Sequence, residues 1–204
     1  MERAALGFRM HSGWGVLVIV DDARQIILRQ LITVIRKDMP GGKQPYHHAE
    51  KLGLAAAEKY LAEYVTECNR LALDAITEVV CQLQNGYQIA GAAILQASER
   101  RLPPLPQILA AHPLIHTAEG QLFRQVIRGA CESLQLPVLG IPERQLKERV
   151  TEDFAGAAAG VLQAIAGAGK TIGPPWTADH KAAALAACLA IGSHRVFRAK
   201  ACRE

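Results

Sequence analysis

Aromatic residues are scarce in this chain of 204 residues, in which only 5% of the side chains are Phe, Trp or Tyr. The core must therefore be built mainly from aliphatic side chains and alanine, which allows helices to pack closely on a sheet. Half of the residues are hydrophobic and 21% are charged, so the composition excludes an intrinsically disordered chain. The length suits one domain with a sizeable core.

Long apolar runs and paired cysteines are also missing. No stretch approaches the ~20 apolar residues that a membrane-spanning helix requires, and the charged start argues against a secretory signal. The five cysteines are scattered without a Cys-x-x-Cys pair, which is typical of a reducing compartment. We therefore expect a cytoplasmic protein without membrane contact. Four cysteines are expected to pack in helices as small hydrophobic side chains: Cys68, Cys81, Cys131 and Cys188.

An excess of positive charge is confined to the end of the chain. The net charge is +4, and residues 193–204 supply four basic residues and one acidic residue. The rest of the chain holds 19 basic and 18 acidic residues, so the broad basic surface of a strong nucleic-acid binder is absent. We interpret residues 1–192 as one domain and residues 193–204 as a basic C-terminal tail, typically a solvated terminus.

The first thirty-six residues are the most informative segment, because they predict three consecutive strands joined by tight turns. The predicted strands span residues 4–11, 14–20 and 25–35. Alternation in the first strand puts Leu6, Phe8 and Met10 on one face, and Arg9 and His11 on the other. The second strand is apolar on both faces, which is typical of the middle of a covered sheet.

Helices and two short apolar runs follow the three strands. Apolar spacing predicts a helical stretch over residues 47–84, either as one helix or as two that are broken near Thr66. Short strands are expected at residues 87–95 and 137–141. The chain therefore alternates strands and helices after its opening hairpins, which is typical of an α/β protein.

Proline and glycine mark the remaining connections. Residues 100–113 contain four prolines and predict an irregular connection, after which Thr117 is expected to cap a helix. One helix is expected from Glu143 up to a break over residues 167–175, and a last helix begins after the cap residue Thr177.

This order of elements resembles the ribonuclease H-like fold, and two segments extend the resemblance. Leu6-Gly7-Phe8-Arg9 followed by Ser12-Gly13-Trp14-Gly15-Val16 is similar to the opening of RuvC-type Holliday-junction resolvases, where Leu-Gly-Ile-Asp runs into a Gly-Tyr-Gly or Gly-Trp strand. Residues 178–186 are similar to the last catalytic helix of that family. The whole chain also resembles a bacterial family with Ser-Gly-Trp and Pro-Tyr-His motifs, which implies no activity. We expect an α/β, ribonuclease H-like fold with a five-stranded mixed sheet, three strands antiparallel and then two parallel, covered by helices on both faces.

The resemblance implies a nuclease site in which carboxylates hold two divalent metal ions. In this chain Arg9 stands at the position of the first-strand aspartate. The fourth-strand glutamate falls near Gly91 or Ala92, and a further acid of the last helix falls near Ala183, while Asp179 is retained. A cation at position 9 repels a metal ion, so we expect a catalytically degenerate module without metal ligands that binds nucleic acid or a protein partner.

The carboxyl edge of the sheet is the first candidate site. The start of the last helix lies near the end of the first strand in this fold, so that His180 and its neighbours approach this edge. Arg9, His11 and Lys181 are candidates to hold an anionic ligand such as phosphate or carboxylate beside Asp179, a candidate catalytic residue. The alternative for Arg9 and Asp179 is a structural ion pair, which we favour.

The second candidate site is a general base formed by His116 and Glu119 after the proline-rich connection, where His112 also lies. Together with Arg9, Asp179 and Lys181, this pair would make an enzyme that acts on a phosphorylated or carboxylated small molecule. This enzyme is the alternative to the degenerate module, and the sequence identifies neither its substrate nor a cofactor.

Three other features favour structural interpretations. His47 and His48 together with His11 suggest a metal or acid/base cluster, but adjacent helical histidines point about 100° apart, so a solvent-facing role is preferred. Residues 167–171 lack the spacing of a phosphate-binding loop and predict a helix end and a turn. Trp176 is expected to fasten the last helix to the core. A homodimer is a further alternative, and an exposed apolar face on the long helix would be evidence for it.

Overall fold

The computed structural model describes residues 1–97 and 101–201, with side chains up to residue 192. Five strands form one mixed sheet in the order β3-β2-β1-β4-β5. The strands are β1 (Glu2–Met10), β2 (Trp14–Asp21), β3 (Ile26–Thr33), β4 (Tyr87–Gln96) and β5 (Val138–Pro142). β1 pairs antiparallel with β2 and parallel with β4, and the outer pairs β2–β3 and β4–β5 are antiparallel and parallel respectively. This is the predicted mixed sheet, with β1 at its centre.

Eight α-helices lie among residues 1–97 and 101–201, and the longer ones pack on the two faces of the sheet. They are α1 (Pro45–Ala49), α2 (Leu54–Leu83), α3 (Leu105–Leu109), α4 (His112–Ser133), α5 (Leu146–Phe154), α6 (Ala158–Gly167), α7 (Gly169–Ile172) and α8 (Ala178–Ala201). α2 and α4 pack on the face that carries Leu6, Phe8 and Leu17, whereas α5, α6 and α8 pack on the face that carries Val16 and Val18. The predicted alternation along the first two strands is therefore confirmed.

A glycine in the central strand brings α8 very close to the sheet. A Cβ atom at Gly7 would overlap the carbonyl oxygen of Ala183 and would lie 2.7 Å from the backbone nitrogen of Ala187. No side chain fits between these backbones, so the contact requires glycine in β1 and alanines in α8. This close packing places the first turn of α8 beside the end of β1.

Arg29 of β3 holds the segment that leads into α8. Its guanidinium donates hydrogen bonds to the carbonyl oxygens of the four consecutive residues 172–175. The distances are 3.0 Å to Ile172, 2.8 Å to Gly173 and 3.1 Å to Pro174. The indole of Trp176 donates to the carbonyl of Ile165 at 2.8 Å and packs on the core, as its predicted fastening role requires. The start of α8 is therefore fixed by contacts with β3 and α6.

The helix boundaries differ from the predictions on the α2–α4 face. α2 continues unbroken past Thr66, and residues 50–53 separate it from α1. α4 begins at His112 rather than after Thr117, whose hydroxyl donates to the carbonyl of Pro113 within the helix. The short helix α3 also lies in the predicted irregular connection. The prolines stand in the first turns of α3 and α4, where a missing N–H is tolerated, so they begin helices rather than prevent them.

The predicted helix from Glu143 is divided. Ala155 has φ +45° and ends α5, after which a single turn leads into α6. The apolar spacing continues through the break because Val150 and Val161 pack on the same core. The predicted break at residues 167–175 is shorter than expected, since α7 occupies its start and the chain turns at Gly173, with φ +76°.

The cysteines follow the prediction with one exception. Cys68, Cys131 and Cys188 are buried, whereas Cys81 is exposed because it lies on the solvent side of α2. Burial raises the pKa of the Cys68 thiol to about 11 and that of Cys188 to about 12. Cys202 and the side chains of the predicted basic tail lie outside the described residues. Across the part of the chain that the structure describes, none of the helices combines the length and apolar character needed to cross a bilayer.

Candidate functional site

Arg9, His11, Glu143 and Asp179 meet at the carboxyl edge of the sheet, and we call these four residues the strand-tip cluster. The guanidinium of Arg9 lies 3.1 Å from Asp179 Oδ1 through Nε and 2.9 Å from Glu143 Oε1 through Nη2. Its side chain is 23% exposed, so the two ion pairs are partly shielded from water. One cation thus joins the end of β1, the end of β5 and the first turn of α8.

His11 contacts both partners of the main ion pair. Its Nε2 atom lies 2.8 Å from Asp179 Oδ2 and 2.9 Å from Nη1 of Arg9. A protonated Nε2 donates to Asp179 and opposes Arg9, whereas a bare Nε2 accepts from Arg9 and opposes Asp179. The ring of Trp14 stacks on His11 with centroids 4.4 Å apart, which fixes the plane of the imidazole. The position of one proton on the imidazole therefore decides whether His11 forms its hydrogen bond with Asp179 or with Arg9.

A second guanidinium, from α4, adds to the charge at this edge. Burial lowers the pKa of Arg124, the negative charge of Glu143 opposes this shift, and the positive charge of Arg9 adds to it. The cluster and its surroundings thus contain two arginines for two carboxylates. This balance leaves no excess of negative charge that would attract a divalent cation.

The residues at the strand tip do not fit the two-metal site that the fold family implies. Both carboxylates of the cluster are bound by Arg9, which stands where the first of the metal-binding acids is expected. Phe8 pairs with Ile94, so the register continues to Leu95 opposite Arg9, and Leu95 rather than Gly91 or Ala92 lies at the level of the site. That level also lacks a carboxylate. Ala183 is fully buried against β1.

Lys181, a residue of the predicted anion site, and its neighbour His180 do not join the strand-tip cluster. Lys181 is two positions beyond Asp179 on α8, about 200° around the helix, and it makes no ion pair with the described residues of the cluster. His180 turns to the N-cap instead, where its Nδ1 accepts from the hydroxyl of Thr177 at 2.8 Å and from its backbone N–H at 3.3 Å. Burial lowers the pKa of His180, and the charge of Arg29 lowers it further.

Glu143 and Arg124 are site residues that the sequence analysis did not identify. Glu143 had a usable signal, because it is the first residue after β5 and parallel strands end at the same edge of a sheet. Arg124 had no such sequence signal, since the apolar spacing of α4 does not distinguish it from Arg128 one turn later. The predicted convergence of Arg9, His11 and Asp179 is present in the structure.

A second group of residues, the histidine cluster, consists of His47, His112, His116 and Glu119. His47 Nδ1 lies 2.9 Å from Glu119 Oε1, and the Nε2 atoms of His112 and His116 are 3.0 Å apart. The ring centroids of His47 and His116 are 4.8 Å apart. Glu119 therefore pairs with His47 rather than with His116. The general-base role of His116 and Glu119 stays a prediction.

The grouping of His47 with His48 and His11, which the sequence analysis did not favour, is not formed. His48 turns away from the histidine cluster, and its ring lies 4.6 Å from that of Tyr60. His11 belongs to the strand-tip cluster. Among residues 1–97 and 101–192, no hydrogen bond, ion pair or ring contact joins the two clusters.

A groove beside the strand-tip cluster combines an apolar floor with basic residues, and we call it the basic groove. Its lining residues are Gly13, Trp14, Leu31, Thr33, Ile35, Arg36, Lys37, Gly42 and Lys43. Leu31 is 63% exposed, which is unusual for a large apolar side chain in a strand. Trp14 lines the groove and stacks on His11, so the groove is continuous with the strand tip.

The architecture and the site together define an α/β protein with a ribonuclease H-like fold. The chain is similar to Thermus thermophilus RuvC in complex with a Holliday junction substrate, with a TM-score of 0.55, 12% identity, and coverage of 95% of this chain and 96% of that one. A second Thermus thermophilus RuvC structure gives a TM-score of 0.52 at 11% identity, with the same coverage. No family model and no curated protein matches the sequence. The RuvC-type fold predicted from the sequence is confirmed, as a relationship between folds.

Proposed function

We propose that this protein is a RuvC-like module that binds nucleic acid without cutting it. The observation that carries the proposal is the position of the Arg9 guanidinium between Glu143 and Asp179 at the tip of the central strand. A two-metal nuclease stabilises the attacking and leaving oxygens with two cations held by free carboxylates. Here one fixed organic cation binds both carboxylates, and it has no open coordination position for a reacting oxygen.

The basic groove is the proposed binding surface. Trp14 and Leu31 offer an apolar floor on which a base can stack, while Lys37 and Lys43 are exposed at its rim and suit phosphate oxygens. The similar RuvC structure holds a Holliday junction, which makes branched DNA the first probe to test. Because the body of the chain is nearly neutral, we expect binding through this local surface and a moderate dependence on salt.

The alternative small-molecule enzyme receives less support. Four of its five residues fall into two groups, since Arg9 and Asp179 belong to the strand-tip cluster whereas His116 and Glu119 belong to the histidine cluster. Lys181 belongs to neither group. A homodimer through α2 also receives little support, because Leu54 is the one exposed large apolar residue of the described part of that helix. A protein partner and a cytoplasmic location remain predictions.

Charge reversal in the groove tests the proposed surface. In fluorescence anisotropy titrations with a four-way DNA junction, the double variant Lys37→Glu/Lys43→Glu should bind more weakly. The slope of the logarithm of its binding constant against the logarithm of the salt concentration should be less negative by about 2, about one unit for each lost phosphate contact.

The matched control is Lys59→Glu/Lys147→Glu, which makes the same charge change at exposed positions on α2 and α5, outside the groove. This control should retain most of the affinity of the unmodified protein. Equal losses in the two double variants, or no binding by the unmodified protein to junction or single-stranded DNA, would rule out the groove as the binding surface.

A further inference from the structure

We propose that His47, His112 and His116 form a binding site for a divalent transition-metal ion, with Zn²⁺ the best match, and that Glu119 orients the site. The site lies on α1 and α4, on the opposite face of the sheet from α8. The inference is independent of the proposed nucleic-acid binding, because it uses none of the residues of the strand tip or the basic groove.

The spacing of two histidines on α4 suits a metal ion. His112 and His116 are four residues apart, so they project from the same face of the helix, as metal-binding histidine pairs on helices do. Their Nε2 atoms are 3.0 Å apart, and ligand atoms from all three histidines lie within 4.8 Å of one another. Tetrahedral zinc with Zn–N bonds of about 2.0–2.1 Å places its nitrogen ligands roughly 3.3 Å apart, close to the separation of His112 and His116.

Glu119 prepares the third histidine for coordination. Its Oε1 atom accepts from His47 Nδ1 at 2.9 Å and from the backbone N–H of His47 at 3.3 Å. This contact assigns the ring hydrogen to Nδ1 and leaves a lone pair on Nε2, the arrangement found in carboxylate–histidine–zinc groups. Glu119 is therefore a positioning residue rather than a ligand.

The burial of Glu119 supports a cation at this place. Its side chain is only 3% exposed, and among the described residues it is hydrogen-bonded to His47 alone. A buried carboxylate is costly unless a positive charge offsets it. A dication bound to His47 would supply that positive charge.

The site is open on one side. His112 and His116 are exposed, and three histidines leave the fourth tetrahedral position to water or to an oxygen of an anionic ligand such as phosphate. The ion would also join α1 to α4, since His47 and His112 are 65 residues apart in the chain. We therefore expect Zn²⁺ to raise the unfolding temperature, as a ligand that binds only the folded state does.

Metal titration of the purified, metal-stripped full chain tests the proposal. Isothermal titration with Zn²⁺ should show one equivalent bound, and Co²⁺ should produce the visible absorption of a tetrahedral site. Glu119→Gln should weaken Zn²⁺ binding by about 10- to 100-fold. His112→Gln and His116→Gln, at exposed positions that should not affect folding, should weaken binding more and abolish the Co²⁺ absorption.

His48→Gln is the matched control, because His48 is adjacent in sequence to His47 but its ring contacts Tyr60. This variant should bind Zn²⁺ like the unmodified protein. If the three rings only form a hydrogen-bonded relay, the unmodified protein will give no Co²⁺ absorption and no saturable Zn²⁺ binding. That result, or equal losses in His48→Gln and His116→Gln, would overturn the proposal.

Discussion

Arg9 determines the chemistry of the strand tip through the sign of its charge. The guanidinium is planar and reaches Asp179 and Glu143 at once, which a lysine with a single ammonium group does not reproduce. Because the two carboxylates approach the same group, removing the cation leaves two negative charges close together. This residue therefore links β1, α8 and the residue after β5, and we propose that it also keeps a metal ion out of the strand tip.

Arg9→Asp should convert the strand tip into a magnesium site. Three carboxylates would then face one another, and Mg²⁺ prefers oxygen ligands. Millimolar Mg²⁺ should raise the unfolding temperature of this variant, measured by differential scanning fluorimetry, and should leave the unmodified protein unchanged. Arg9→Ala, which keeps only two carboxylates, should respond less. A magnesium response of the unmodified protein that Asp179→Asn removes would show that Arg9 does not exclude the ion.

His180 should make the protein less stable in mildly acidic solution. Its pKa in the folded state is lowered from the ordinary value of 6.5, mainly by burial, so the unfolded chain takes up the proton more readily. The stabilising contribution is complete above pH 6.5 and is lost as the pH falls towards the folded-state pKa. Urea unfolding at several pH values should show a smaller acid-induced loss for His180→Gln than for the unmodified protein. His48→Gln serves as the control, and identical pH profiles for all three would contradict the assignment.

The contact between β1 and α8 links the fold to the site at the level of elements. Gly7 lets the alanines of α8 approach the strand, and Arg29 holds the carbonyls that precede the helix. These two contacts fix the position of α8 along β1, and so place Asp179 beside Arg9. Glycine in the first strand and the alanine-rich last helix were visible in the sequence, and they predicted close packing. Arg29 was not predicted as an anchor, because its partners are backbone carbonyls of a segment 143 or more residues away.

Glycine-to-alanine substitutions at two positions should change stability in opposite directions. At Gly7 a Cβ atom meets backbone atoms of α8, so Gly7→Ala should lower the free energy of unfolding by about 1–3 kcal/mol or more. At Gly129, within α4, a Cβ atom meets nothing within 4 Å, so Gly129→Ala should raise it by roughly 0.5–1 kcal/mol. Chemical denaturation measures both changes. Equal effects would show that the close approach of α8 to β1 is not rigid.

Helix ends were harder to predict than helix faces. The apolar spacing correctly identified the buried side of α2 and of the α5–α6 region, because burial repeats with the helical period. The start of α4 and the break at Ala155 depend instead on where proline is tolerated and on one residue with positive φ. Tertiary contacts determine the local backbone conformation at these two positions.

At the scale of the whole molecule, the mixed sheet was predictable because few topologies connect three antiparallel strands to two parallel ones. The same topology predicts that Arg9 and Asp179 lie at one edge of the sheet. His112, His116 and Glu119 were predicted to lie together, but the addition of His47 to them was not predicted. It depends on how α1 packs against α4, and the short helix α1 gives no periodic signal.

Incubation of the purified protein with a labelled four-way DNA junction and Mg²⁺ or Mn²⁺ tests the central claim most directly. Binding should be measurable by anisotropy, while a denaturing gel should show intact strands, because the Arg9 guanidinium binds the two carboxylates of the strand tip. Metal-dependent cleavage that disappears in Asp179→Asn would contradict the account.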